Sequence, residues 1–129
     1  MATSFIQMAE KAMAEVDGIS VEQAQQRLQE DSNALLIDVR DAADIPATGV
    51  PAGGANISLG MLPIRADREL PEEWLDARLQ DRSCQVITTC FAGMMSAIGA
   101  KVLKDMGFTN VCYMEGGMDA WKEAGLPTD

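Results

Sequence analysis

Apolar positions in the first part of the chain recur at helical spacing. Behind Ser4 as a cap, Phe5, Ile6, Met8, Ala9, Met13 and Val16 mark one side of a helix that Asp17-Gly18 is expected to end. Ser20 and Gln23 have capping-box spacing and open a second helix from Val21 to about Glu30, with Val21, Ala24 and Leu28 on one face. The pattern then changes. "ALLIDV", 34 to 39, is a short continuous apolar run between turn formers, as in a strand buried on both faces. The Gly- and Pro-rich stretch 41 to 63 predicts a brief helix at Asp41 to Ile45, a loop, and a short strand near Ala55 to Ser58. In "LPEEWLDARL", Pro71 suits a first helical position and Glu72 and Glu73 suit the positive end of a helix. Residues 84 to 89 predict a strand, Ser96 to Met106 a helix stopped by Gly107, 110 to 114 a strand, and Met118 to Ala124 a last helix stopped by Gly125 and Pro127.

Strand and helix alternate at least three times, which implies an α/β fold built on a parallel sheet with helices on both faces. Strands 34 to 39, 84 to 89 and 110 to 114 then end on one rim, which gathers Arg40, Cys90 and Glu115-Gly116-Gly117. Residues 1–18 form an N-terminal helical extension to a domain spanning 19–129. No internal repeat or low-complexity tract interrupts it.

Composition narrows the function. A chain of 129 residues with 47% hydrophobic residues makes one core, and no apolar run nears the length needed to span a bilayer. The N-terminal "MATSFIQMAEKAMAEV" resembles neither a secretory signal nor a transit peptide, so a cytoplasmic protein is expected. With 10 basic and 20 acidic residues the formal charge is −10, which argues against nucleic-acid or anionic-membrane partners. An anionic substrate must be held by local donors.

The chain has 3 cysteines and no histidine. The cysteine spacings form no CxxC pair, so no metal site is expected, and Cys-His or Ser-His activation within this chain is excluded. Cys112, between Val111 and Tyr113, and Cys84 read as small strand hydrophobes. Cys90 differs, because it stands where a strand gives way to a helix. Ala92 and Gly93 let the chain curl there, Ser96 can cap the helix, and the helix's first N–H groups converge on anything negative.

Four segments, in order, resemble the rhodanese-like domains: "LLIDVRD" (35 to 41), "VPAGGANIS" (50 to 58, with one apparent extra residue), "CFAGMMS" (90 to 96) and "GFTNVCYMEGGMDAWKEAGLP" (107 to 127). Together they cover roughly Ile19 to Pro127. The resemblance implies a three-layer fold with a mostly parallel central sheet of about five strands and helices on both faces. It also implies sulfurtransferase chemistry: a Cys90 thiolate takes sulfane sulfur from thiosulfate or another persulfide, holds it as a persulfide, and passes it to a thiol or cyanide. Phe91, Ala92, Gly93, Met94, Met95 and Ser96 are the implied substrate cradle. Asp38 and Arg40 brace the sheet edge, Gly116 and Gly117 permit close approach of the last helix, and Trp121 belongs to the core. No metal or organic cofactor is implied. The expected partners are a small sulfur donor or protein persulfide and a thiol acceptor, without nucleic acid or membrane.

Two positions depart from the family pattern. Met95 stands where an arginine usually ends the active loop, and Leu59 stands where many relatives carry a second one. Their loss removes charge-assisted donors worth roughly 1.5 to 3 kcal/mol each. Arg65 and Arg68 are the nearest candidates to replace them. Retention of Cys90 favours an enzyme or persulfide carrier, and loss of both arginines favours an interaction or sulfur-sensing module with little turnover. The six-residue cradle from Cys90 to Met95 has the length of the sulfur-transferring members, one residue shorter than in phosphatase and arsenate-reductase relatives.

Overall fold

The computed structural model describes residues 2–129. Five parallel strands, β1 (Asp17–Ile19), β2 (Leu35–Asp38), β3 (Ala55–Asn56), β4 (Val86–Thr89) and β5 (Val111–Met114), form one sheet in the order β1-β5-β4-β2-β3. Five helices accompany them: α1 (Phe5–Glu15), α2 (Val21–Glu30), α3 (Leu62–Arg65), α4 (Met94–Asp105) and α5 (Gly117–Glu123). Among the described residues, no helix is long and apolar enough to cross a membrane.

Alternate strand residues divide the core in two. Leu36, Ile87, Cys112 and Met114 pack under α2 and α5 with Val21, Met118 and Trp121. Ile37, Val39 and Val86 pack on the other face with Leu62 of α3, Leu103 of α4, Leu79 and Phe108. The apolar residues of β2 and β4 thus fill both layers, as strands of a doubly covered parallel sheet must. Both capping boxes form: the Ser4 and Ser20 side chains accept from the Gln7 and Gln23 N–H groups, and each glutamine side chain accepts from the cap's own N–H. The buried face of α1, at Ala9 and Ala12, packs on α4.

The structure differs from the sequence expectation in four places. Asp17-Gly18 does not merely stop α1, because both residues enter β1 and pair with Cys112 and Tyr113 of β5. Partner strands, not residue preference, hold this segment extended. "LPEEWLDARL" forms two short 3₁₀ turns, Glu72–Trp74 and Ala77–Leu79, instead of one helix. Leu75 is extended between them and the Asp76 side chain caps the second turn, while the Asp76 N–H donates to Arg65 O. α3 went unseen because four residues show no period. Lastly, α4 begins two residues before Ser96, with Gly93 as its cap at φ 112°.

Candidate active site

β4 ends at Thr89, and the chain turns at once through Cys90 to Gly93 into α4. The left-handed conformation of Gly93 lets the turn close over its own first residue. As a result Cys90 Sγ accepts hydrogen bonds from the N–H of Gly93 at 3.1 Å and of Ser96 at 3.2 Å. Ser96 is therefore inside the helix rather than capping it. Its hydroxyl donates to Gly93 O at 3.0 Å and lies 3.4 Å from Cys90 Sγ, and Thr88 Oγ1 fixes the helix start by donating to Ser96 O at 2.7 Å. The sulfur is enclosed: Cys90 is only 2% exposed.

The outer side of the loop rests on α5. The N–H groups of Met118 and Asp119 donate to Cys90 O at 2.8 Å and Phe91 O at 3.0 Å. Holding those carbonyls outward leaves the amide edge of the loop facing the sulfur. Gly117 makes the contact possible, since a Cβ there would fall 2.5 Å from Cys90 O and 2.7 Å from Phe91 O.

Asp38 and Arg40 adjoin the cradle. The Arg40 guanidinium is fully buried and grips the Asp38 carboxylate through Nε at 3.0 Å and a terminal nitrogen at 2.7 Å. Its remaining donors reach Thr48 Oγ1 at 2.8 Å and Gly49 O at 3.0 Å. Its flat face lies 4.9 Å from the centre of the Phe91 ring, so Arg40 steadies the loop from below as a cation–π partner. Asn56 Nδ2 donates to the carbonyls of Asp38 and Arg40. Thr88 and Asn56 escaped the sequence reading, although a threonine pair inside an otherwise apolar strand was a usable signal.

No arginine side chain makes a hydrogen bond to the cradle among the described residues. Met95 and Leu59 are half-buried and pack against the core cluster of Ile37, Val39 and Leu62. Arg65 donates to Trp74 O at 2.7 Å and Arg68 to Gln80 O at 2.8 Å, so both serve the 70–80 loop instead. At the mouth of the site Phe91, Ala92 and Met94 are exposed. The other two thiols lie elsewhere and are pushed upward in pKa by burial. Cys84 donates to Asn33 O at 3.3 Å, and buried Cys112 sits 3.8 Å from the Arg27 guanidinium.

An enclosed sulfur facing backbone donors can hold negative charge on itself or on an atom bound to it. Sequence comparison places residues 20–124 in the Rhodanese-like domain family. A sulfurtransferase of Allochromatium vinosum is 31% identical over 112 residues, covering 87% of this chain and 94% of that one. The polysulfide-sulfur transferase homodimer of Wolinella succinogenes superposes with TM-score 0.76 at 31% identity, over 97% of this chain and 86% of that chain. A Rhodopseudomonas palustris protein of unknown function, described as a possible tyrosine phosphatase, superposes with TM-score 0.90 at 26% identity over 100% of this chain and 96% of that chain. Fold, motif order and these likenesses agree, and the chain belongs to the rhodanese-like domain family.

Proposed function

We propose that this protein is a sulfurtransferase in which Cys90 carries sulfane sulfur as a persulfide. The reading rests on the two amide N–H groups that converge on Cys90 Sγ inside an enclosed cradle. In the loading step the Cys90 thiolate attacks the sulfane sulfur of thiosulfate or of a persulfide, and sulfite or a thiolate leaves with the electron pair of the broken bond. In the unloading step a thiolate or cyanide attacks the outer sulfur, and the bond to Cys90 Sγ breaks to return the thiolate. Phe91, Ala92, Gly93, Met94, Met95 and Ser96 form the substrate cradle. Asp38 and Arg40 position the loop without touching substrate.

The core packing of Met95 and Leu59 supports a refinement. Thiosulfate meets no guanidinium here, so turnover with it is weak, and the apolar mouth of Phe91 and Met94 suits organic or protein-bound persulfides. The same packing supports the second reading, a sulfur-sensing or interaction module with little turnover. The possible phosphatase activity of the Rhodopseudomonas protein has weaker support here, because the six-residue loop ends in Met95 and offers a phosphate no cation.

Intact mass of the protein after treatment with an organic persulfide, and again after cyanide, tests the reading. One sulfur gained and then lost is expected, abolished by Cys90→Ser and retained by Cys84→Ser and Cys112→Ala. A Cys90→Ser protein that still gains cyanide-labile sulfur refutes the assignment. A wild-type protein that gains none from any donor moves the reading to the interaction module.

A further inference from the structure

The buried Arg40 guanidinium makes more contacts than its ion pair with Asp38 requires. Nε and Nη2 donate to the two oxygens of the Asp38 carboxylate at 3.0 and 2.7 Å. That grip holds one edge of a planar group and leaves the plane free to pivot about the edge. Nη1, the corner opposite that edge, donates to Thr48 Oγ1 at 2.8 Å and so sets the tilt. The Thr48 hydroxyl gives its own proton to Gly49 O at 2.9 Å, which turns its lone pairs toward Arg40. Gly49 O also accepts from Nη2 at 3.0 Å.

The segment that carries Thr48 is itself anchored. Asp129 N–H donates to Val50 O at 2.9 Å, Ala52 N–H to Pro127 O at 3.0 Å, and Gly53 N–H to Asp129 Oδ2 at 2.8 Å. Pro127 O accepts a second bond, from the indole of Trp121 at 2.9 Å, which ties this segment to the core. Gly49, at φ 71°, lies so close to Asp129 O that a side chain there would collide with it. Thr48 is a fixed point for Arg40 to lean on.

The other side of Arg40 faces the candidate site. Its Cζ stands over the Phe91 ring, 4.9 Å from the ring centre, and Phe91, next to Cys90, is 43% exposed at the mouth. A cation–π contact depends on the cation staying over the ring face, so the tilt of the guanidinium decides where the ring rests. The Phe91 backbone is held separately, because its carbonyl accepts from Asp119 N–H at 3.0 Å. A change at Thr48 therefore reaches the ring while leaving the amides that face Cys90 Sγ in place.

We propose that Thr48 is a positioning residue: acting through Arg40, it holds the Phe91 ring as a platform on which the apolar group of a sulfur donor stacks. The proposal deepens the persulfide reading of Cys90 and rests on it for its role in sulfur transfer. A donor with an aromatic group beside its reacting sulfur gains from the platform, and a small donor does not.

Two thiosulfonates that differ only in that group test the platform without sulfur loading. Benzyl and methyl methanethiosulfonate are each reacted with the full chain carrying Cys84→Ser and Cys112→Ala, and the mass gain is followed in time. The Cys90 thiolate attacks the sulfur that bears the benzyl or methyl group, the S–S bond breaks, and methanesulfinate leaves with the electron pair. The benzyl-to-methyl ratio of second-order rate constants should fall by a factor of about 3 to 10 in Thr48→Val, as loss of one aromatic contact implies. Thr48→Ser, which keeps the hydroxyl, should restore the ratio. Loss of stability alone would change both rates together. An unchanged ratio in Thr48→Val, or an equal change with both reagents, overturns the proposal.

A second measurement uses Phe91→Leu, a change at an exposed position that leaves the core untouched. The ring current of Phe91 should displace the Arg40 Nε–H NMR signal in the wild type, and Phe91→Leu should abolish the displacement. In the Phe91→Leu background, Thr48→Val should leave the benzyl-to-methyl ratio unchanged, since the two residues act as one unit. An effect of Thr48→Val that persists without the ring overturns the proposal. The expected selectivity in a protein that gains no cyanide-labile sulfur supports the role of Thr48 and overturns the persulfide reading alone.

Discussion

Replacing Gly117 with alanine tests how closely the cradle's shape depends on α5. The new Cβ would stand 2.5 Å from Cys90 O, where a carbon normally keeps about 3.3 to 3.6 Å from an oxygen. The loop or the helix must therefore retreat by roughly 0.8 to 1.1 Å. The retreat stretches the bonds from Met118 N–H and Asp119 N–H, each worth about 0.5 to 1.5 kcal/mol net. A left-handed conformation at φ 55° adds about 1 to 2 kcal/mol for a residue with a side chain. The expected total is a destabilisation of about 2 to 5 kcal/mol. Misplacement by about 1 Å near reacting atoms costs on the order of a hundredfold in rate, so loading of Cys90 should slow by about that factor. Gly125→Ala is the control: φ is 71° and nothing lies within 4 Å of its Cβ, so it carries the backbone strain without the contact. Urea unfolding gives the stabilities, and the rate of mass gain with an organic persulfide gives the chemistry. Wild-type loading by the Gly117→Ala protein, alongside destabilisation no greater than that of Gly125→Ala, would refute the claim that this contact shapes the cradle.

Met95→Arg should raise kcat/KM for thiosulfate about tenfold through one charge-assisted bond, while withdrawal of a half-buried methionine from the core costs about 1 kcal/mol in stability. A flat thiosulfate rate with slower transfer from a bulky persulfide would instead make Met95 part of an apolar docking surface. Arg40→Leu should cost about 3 to 5 kcal/mol in urea unfolding, because it strands the fully buried Asp38 carboxylate, and adding Asp38→Asn should restore part of it. A loss under about 1 kcal/mol for the single variant would remove the bracing role. Asp76 is held below its ordinary carboxyl value of 3.8 first by the Arg78 side chain and then by the Arg78 N–H. A lowered folded pKa stabilises above the ordinary value and loses that contribution as pH falls through the folded value. Asp76→Asn should therefore cost no more than about 1 kcal/mol at pH 7 and progressively less as pH falls below the ordinary carboxyl value, and an undiminished cost in acid would contradict the ion pair.

The helices with capping boxes and the strands with continuous apolar runs were legible in the sequence because each carries its own signal within a few residues. The candidate cysteine was legible for a similar reason: apolar strand, Cys90, Gly93 and the apolar start of α4 are contiguous. What could not be read depends on distant partners. β1 is extended because β5 lies beside it, and "LPEEWLDARL" breaks into two turns because Arg65 engages its backbone. The fates of Arg65, Arg68 and Met95 turn on which acceptors and apolar side chains lie within reach after folding, which sequence spacing does not encode. Ser96 is the instructive case. It was expected as a cap, but its N–H meets the sulfur from inside the helix, because Gly93 takes the cap.

The two edges of the sheet are its shortest strands, three residues in β1 and two in β3. Beyond β3, Pro51 has no N–H to offer and already bridges to Thr128. Little free ladder remains for another chain to extend, so sideways strand addition is a poor route to assembly. A protein partner is left with the helical layers or the loop rim. The rim is where all five parallel strands end and where Cys90 sits, so on the proposed persulfide reading a partner docking there would bring its reactive sulfur toward this one in the same movement. Recognition and transfer then share a single surface, and a change that weakens one should be felt in the other.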